Sequence, residues 1–376
     1  MTRVLHLITR FAGGGSEKTV ENQIRGLLDS HRDYDVRLGF GEEYDPERVA
    51  SIQEEGIKTA HFGQIRHYSL FHTVPAVFQV ARYLHRHQIE VIHTHSTEAG
   101  IIGRWAALLA RTPVIIHEVH GDPISKDRHP ILNAFVLSME RLSAPIASKL
   151  IIKSERIRQS FIDRGIGTES MYELIYHGID LSEFKNVTPA HIPESEEDVR
   201  LVFVGRLQDG KGLFDLVDAF TELERNDVDL LIAGDGPLEG KINEKIAERG
   251  LEQSIHLLGY REDVPQLLAA SDILVLPSYR EGTPRVISEA LASGTPVVST
   301  HIAGIPEQVS HEECGLLIEP GDVGFLVNAL NRLINSGELR QKMSRACESQ
   351  VEQFSVERAQ RDIVQLYERL LSDSEY

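Results

Sequence analysis

The chain alternates short, almost continuously apolar runs with amphipathic stretches, and it does so in two series. In the first, residues 4–9, 34–39, 91–95, 114–117 and 150–152 read as strands, with helical patterns at 16–28 and 74–87. Residues 189–198 then turn polar and read as a loop or linker. In the second series, strands are expected at 201–204, 230–233, 255–258, 273–276 and 296–299. Helices are expected at 213–224, 238–249, 264–270 and 284–292, followed by a mostly helical tail over 324–371. Strands that are apolar along their whole length belong in a parallel sheet covered on both faces, so the pattern predicts an α/β fold. A length of 376 residues exceeds one ordinary core. The expectation is two doubly wound domains with a cleft between them, and ligands at the carboxyl ends of strands.

No apolar run approaches the length that spans a bilayer. Residues 1–10 run into a strand pattern without a cleavage site, and the only cysteines are Cys314 and Cys347. A reducing, cytoplasmic setting is expected. The net charge of −18 argues against general nucleic-acid binding, which needs a basic footprint. That charge is unevenly placed: residues 1–180 carry 22 acidic and 21 basic side chains, residues 181–376 carry 35 and 18. Thirteen of the 17 histidines lie in the first part. Either the two halves face different things, or the acidity merely keeps the second half soluble.

The motifs sit just after the expected strands. Gly205-Arg206 and Gly210-Lys211-Gly212 lie between a strand and a helix. Glycines let backbone approach a phosphate, a helix N-terminus offers N–H groups and a positive dipole end, and Arg206 and Lys211 add two charges. A diphosphate is the ligand this chemistry fits. The spacing nearly matches a P-loop, but Gly212 lacks the hydroxyl that would meet magnesium. A second helix start follows at Glu281-Gly282-Thr283-Pro284, with Thr283 expected as the N-cap and Pro284 as the first helical residue. Glu281 and Glu289 flank that start, and a carboxylate accepting from vicinal hydroxyls holds a ribose or hexose.

Together these motifs resemble glycosyltransferase family 4, a retaining family of the GT-B fold, over nearly the full length. The resemblance rests on Gly13-Gly14-Gly15, His120-Gly121, Gly205-Arg206 with Lys211-Gly212, Gly234-Asp235-Gly236-Pro237, the Glu281/Glu289 pair and Ala303-Gly304-Ile305-Pro306-Glu307. It implies two Rossmann-like domains: 1–180 on the acceptor side, 181–355 binding the nucleotide sugar, and a helix over 356–376 crossing back to the first. It implies that Arg206 and Lys211 hold the donor diphosphate and that Glu289 holds the ribose. Glu281 and the backbone of Gly282, Thr283 and Pro284 would lie by the donor sugar, and His120 by the sugar and reacting centre. Gly14 and Gly15 would face phosphate and acceptor, and Arg261 counts among the donor-binding residues. His120, Arg206, Lys211 and Glu281 form the implied catalytic set. The activity implied is retaining transfer, with no metal or cofactor required, from a nucleotide sugar to a glycan or polyprenyl-linked acceptor in polysaccharide or glycoconjugate assembly. Thr283-Pro284-Arg285 resembles members that use UDP-linked sugars. A GT-B sugar-nucleotide epimerase and a P-loop ATPase are the alternatives. Ala303 departs from the family pattern, where glycine often stands, and reads as a small change in size.

Three features remain. His93, His95, His117 and His120 cluster near strand ends; they read as acceptor and sugar contacts rather than a zinc site, since no cysteine accompanies them. Asp227-Val228-Asp229 reads as a surface turn. Residues 56–89 contain no acid but carry Lys58, Arg66, Arg82 and Arg86 with Tyr68, Phe71, Phe78 and Tyr83. That composition fits either a core helix with a mixed surface or peripheral contact with the inner face of a membrane.

Overall fold

A computed structural model describes residues 1–66, 70–124, 129–192 and 199–374. The chain divides into two compact units, residues 1–178 with 356–376, and residues 179–355.

The first unit holds a parallel sheet of β1 (Thr2–Phe11), β2 (Tyr34–Tyr44), β3 (Lys58–His61), β4 (Val91–His95), β5 (Val114–Glu118), β6 (Lys149–Ile152) and β7 (Tyr172–Leu174). Their order is β3-β2-β1-β4-β5-β6-β7. The crossovers are α1 (Gly15–Leu28), α2 (Pro46–Glu54), α3 (Leu70–Arg86), α4 (Thr97–Ala110), α5 (Pro130–Ser143) and α6 (Glu155–Asp163). Chain order reverses between β1 and β4, which makes that crevice the expected ligand position.

The second unit repeats the plan. Its strands are β8 (Val199–Val204), β9 (Val228–Ala233), β10 (Ile255–Gly259), β11 (Ile273–Leu276), β12 (Val297–Thr300) and β13 (Gly315–Ile318). Their order is β10-β9-β8-β11-β12-β13, with the reversal between β8 and β11. Its helices are α7 (Leu213–Leu223), α8 (Glu239–Arg249), α9 (Val264–Ala269), α10 (Arg285–Ala292), α11 (Ile305–Gln308), α12 (Val323–Ile334) and α13 (Gly337–Gln350).

The C-terminal helix, Val356–Ser374, completes the first unit. Ile363, Leu366, Tyr367 and Leu371 recur at helical spacing and are buried with Val20, Ile24 and Leu27 of α1. Each apolar side chain so buried contributes roughly 1.5–3 kcal/mol. Close approach requires Gly26, where a Cβ would lie 2.4 Å from Gln360 Cγ.

Several local expectations need correction. α1 starts one residue early, capped by extended Gly14 with no side-chain bond, because Ser16 Oγ turns to Glu17 Oε2 at 2.7 Å. α10 starts at Arg285: Pro284 has ψ 122°, so it is the cap residue and Thr283 is not. β13 was hidden in a four-residue run beginning with glycine; a Cβ at Gly315 would lie 2.3 Å from the Val297 carbonyl oxygen. Asp229 is not in a surface turn. It lies buried in β9, and its Oδ1 is 3.3 Å from His256 Nε2.

Candidate active site

In the second unit three loops meet at the carboxyl ends of β9, β8 and β11, and glycine makes the meeting feasible. A Cβ at Gly234 would lie 1.9 Å from the Gly205 oxygen, and one at Gly236 2.4 Å from the Leu207 oxygen. Gly212 caps α7 at φ +70°, where a Cβ would lie 2.0 Å from the Pro277 oxygen. A serine or threonine does not fit there, so the P-loop alternative fails on geometry. The loop after β11 is tied down by Tyr279 N donating to Gly210 O at 2.8 Å, Thr300 Oγ1 to Ser278 O at 2.6 Å and Gly304 N to Gly282 O at 2.9 Å.

The implied donor residues lie on this frame. Lys211 Nζ is 2.7 Å from Glu281 Oε1, and Ser278 Oγ donates to the same oxygen at 2.7 Å. The residues that the resemblance assigns to the diphosphate and the sugar thus form one ion pair, a link the sequence did not reveal. Arg206 on the β8 loop is exposed and makes no ion pair among the described residues. Gly282, Thr283 and Pro284 lead into α10, and the Pro284 carbonyl accepts from Gln308 Nε2 at 3.1 Å. Glu289, on α10, lies 3.7 Å from Arg285 Nε one turn earlier. Burial pushes the Arg285 guanidinium below its ordinary value, with Glu289 opposing. Arg261, after β10, is held by both oxygens of Asp263 at 2.7 and 2.6 Å. Ala303 has φ +43°, so what its methyl group costs is left-handed backbone rather than size.

In the first unit His120 follows β5 and lines a cavity of about 180 Å³ with Ser96, Thr97, Gly121 and Asp122. Its ring is 17% exposed, and burial pushes its pKa down to about 4. Behind it lie His6, His93, His95, Glu118 and Tyr367, all fully buried. Gly14 and Gly15 open α1, where buried Glu17 folds back over the helix start: a Cβ at Gly14 would lie 2.8 Å from Glu17 Oε2. That carboxylate competes with an outside anion for the same dipole. Sequence reasoning missed Glu17, Glu118, Lys153 and Tyr367. A signal existed for two of them, because Glu118 and Lys153 are charges placed directly at the ends of apolar strand runs.

The acid-free stretch also needs revision. Lys58 is paired with Asp35 at 2.9 Å and Arg66 with Glu42 at 3.0 Å. Tyr83 packs edge-on against Phe62 at 5.3 Å, so it is not available to insert into a lipid surface. Tyr68 and the Phe71 side chain lie outside the described residues. Val74 and Phe78 on α3 are exposed, and so are Ile131, Phe135 and Leu142 on α5, a helix the sequence reading had not considered. Among the described residues no helix is long and apolar enough to cross a membrane.

Comparison with known proteins bears on both units. The family described as "Glycosyl transferase 4-like domain" matches residues 14–171, and "Glycosyl transferases group 1" matches residues 185–350. The chain is 29% identical over 297 residues, 76% of each chain, to a UDP-Gal:alpha-D-GlcNAc-diphosphoundecaprenol alpha-1,3-galactosyltransferase of Escherichia coli. It is 27% identical over 325 residues, 83% of each chain, to an N-acetyl-alpha-D-glucosaminyl L-malate synthase of Bacillus anthracis. Among solved structures, Anabaena HepE in complex with UDP superposes with TM-score 0.82 at 23% identity, covering 98% of this chain and 100% of that one. Sucrose-phosphate synthase from Thermosynechococcus elongatus gives 0.83 at 21%, covering 99% and 100%. With family matches in both units and two Rossmann-like sheets that share one order over six strands, the chain belongs to glycosyltransferase family 4 and has the GT-B fold.

Proposed function

We propose that this glycosyltransferase takes a sugar from a UDP-linked donor held by residues 179–355 and passes it, with retention, to a lipid-linked glycan held by the other unit. The observation that carries the donor half is the glycine-built meeting of loops at the α7 start, with exposed Arg206 beside it and Lys211 already neutralised by Glu281. A diphosphate arriving there draws the Lys211 ammonium from Glu281 toward the phosphate oxygens. Arg206, Lys211 and the helix N-terminus then oppose the negative charge that grows on the leaving diphosphate. Glu281 is left to accept from the sugar, with the backbone of Gly282, Thr283 and Pro284 beside it. Glu289 accepts from the ribose hydroxyls, Arg261 assists at the nucleotide, and His120 faces the sugar. Gly14 and Gly15 leave room for phosphate and acceptor. These cations take the place of a metal, so neither metal nor further cofactor is required. The uridine assignment is supported by the galactosyltransferase relative and by the HepE complex, each of which names UDP.

The acceptor half is supported by that relative's diphosphoundecaprenol substrate and by the exposed apolar residues of α3 and α5. Arg82 and Arg86 on α3 are exposed and would meet anionic headgroups. On this reading the enzyme is cytoplasmic and works at the inner membrane face.

A ligand panel tests the donor. UDP at 100 times its Kd should stabilise the protein by about 2.7 kcal/mol, and ADP and GDP should do less. Transfer from the UDP-sugar should require an acceptor and persist in EDTA. Donor turnover without acceptor would instead indicate an epimerase. Liposomes containing anionic lipid should co-sediment the protein at low salt, and Arg82→Glu with Arg86→Glu should abolish that; if wild type ignores such liposomes, the acceptor is soluble.

A further inference from the structure

Behind His120 a chain of buried hydrogen bonds runs through His95, His6 and Tyr367 to His93, whose far nitrogen lies beside the Glu118 carboxylate without a hydrogen bond to it; the charge of that carboxylate favours one proton arrangement. Glu118 is its origin. Its Oε2 accepts from Gln23 Nε2 at 2.6 Å and lies 3.3 Å from His93 Nε2, while Oε1 lies 2.8 Å from Lys153 Nζ. Burial pushes the Glu118 carboxyl up, but the Lys153 ammonium and the surrounding histidines together outweigh it and hold the group well below the usual carboxylate range. An ionised carboxylate only accepts, so the proton of neutral His93 belongs on Nε2, facing it. The opposite choice would set a nitrogen lone pair against a carboxylate oxygen.

The rest follows link by link. Burial pushes His6, His93 and His95 below their usual values, so each ring is neutral near pH 7 and has one N–H. With its proton on Nε2, His93 accepts at Nδ1, where Tyr367 Oη is 2.9 Å away and must donate. Tyr367 has spent its only proton, so it accepts from His6 Nε2 at 3.4 Å. His6 therefore accepts at Nδ1 from His95 Nε2 at 3.0 Å. His95 in turn accepts at Nδ1 from His120 Nε2 at 3.1 Å. Glu118 Oε1, 3.5 Å from His120 Nε2, favours the same N–H.

We infer that the Glu118 carboxylate fixes the tautomer of His120 through this one-way chain, so that His120 presents an unprotonated Nδ1. His6, His93, His95, Glu118 and Tyr367 are then positioning residues. The same assignment tells against a metal among His6, His93 and His95, although their nitrogens lie within 4.8 Å of one another: each lone pair already accepts from a neighbouring donor. The functional consequence rests on the proposed role of His120 at the sugar. A bare Nδ1 accepts a hydrogen bond from a sugar hydroxyl, whereas an Nδ1–H would turn that hydroxyl into an acceptor and leave its proton unplaced.

The test reads tautomers directly and needs no substrate. In full-length protein labelled with ¹⁵N-histidine, long-range ¹H–¹⁵N correlation distinguishes a pyridine-like from a protonated ring nitrogen, and a His120→Asn spectrum identifies the His120 signals. A pyridine-like Nδ1 on His120 near pH 7 is expected; a protonated Nδ1 overturns the inference. Glu118→Gln with Lys153→Met removes both charges of the buried pair together and replaces the acceptor with an amide that can donate. His120 should then show a fraction protonated at Nδ1, kcat should fall at least about tenfold, and UDP affinity should stay unchanged. An unaltered His120 tautomer in that variant also overturns the inference. If the pair variant fails to fold, Tyr367→Phe cuts the chain with Glu118 and Lys153 in place. His93 should keep its proton on Nε2 while His6 and His95 become mixtures; single, unchanged tautomers at both would show that no chain operates. A tautomer result as expected with kcat unmoved would leave the chain standing and remove His120 from the sugar.

Discussion

The two units build the same sheet crevice and fill it in opposite ways. At the β1/β4 crevice the charges are buried in the interior. Glu118 and Lys153 neutralise each other in the interior, and His6, His95 and Tyr367 are hydrogen-bonded into one chain with His93 Nδ1. At the β8/β11 crevice glycine lets backbone pack directly against backbone. Gly205, Gly212, Gly234 and Gly236 bring backbone together, with the Lys211–Glu281 ion pair and exposed Arg206 beside them. A buried polar network can orient a group, while the exposed Arg206 offers a charge to an anion on the reading proposed above. One fold serves both because the switch point fixes only where a ligand goes, and the loops decide what is offered there.

Acid should separate the units most strongly. Burial holds His6, His95 and His117 well below their usual value and His120 at about 4. Unfolded histidine titrates near pH 6.5, so above that neither state takes the proton. As pH falls below 6.5 the unfolded chain binds protons the folded unit refuses, and stability drops; His120 alone accounts for about 3 kcal/mol by pH 4. Glu118 adds a loss once pH falls through its unfolded value near 4.5 toward its lower folded one. Trp105, the single tryptophan, lies on α4 of the first unit and should report its unfolding between pH 6 and 4 as the second unit's helical signal persists. A Trp105 signal flat to pH 4 would break the comparison.

Glycine substitutions probe it from the other side. Gly234→Ala forces a Cβ onto the Gly205 carbonyl at φ +142° and should cost about 3 kcal/mol in urea denaturation. Gly121→Ala, whose Cβ meets nothing within 4 Å, should cost less than about 0.5 kcal/mol. Equal costs would mean that close backbone approach is not what distinguishes the second crevice. Arg206→Ala and Lys211→Ala should each lower turnover about 10²-fold, some 2.7 kcal/mol of transition-state stabilisation, in a donor-dependent transfer assay. Near-full activity in both would place the anion site elsewhere. The smallest expected effect is on binding: Glu289→Ala should weaken UDP by about 1.5–3 kcal/mol in calorimetry, the range for a hydrogen bond to a charged group. Unchanged affinity would take Glu289 out of the ribose role.

The sequence by itself determined the α/β class, the repeated strand series and the loop motifs, because apolar runs and glycine spacing are local properties written in consecutive residues. It also placed Arg206, Lys211 and Glu281 on loops after strands and Glu289 within the helix that follows. Only the tertiary structure decided that Lys211 and Glu281 are one pair, that Ala303 sits in left-handed backbone, and that Tyr83 is packed against Phe62. Tyr367 is the clearest case. In the sequence it is one apolar position in the period of a C-terminal helix, indistinguishable from Ile363 or Leu371. Its hydroxyl has a role only because that helix packs against the first sheet and sets the oxygen 2.9 Å from His93, a residue 274 positions away. Spacing along the chain carries no information about such a distance. Hydrogen bonding between remote buried groups is fixed by packing, and packing is set by the whole fold.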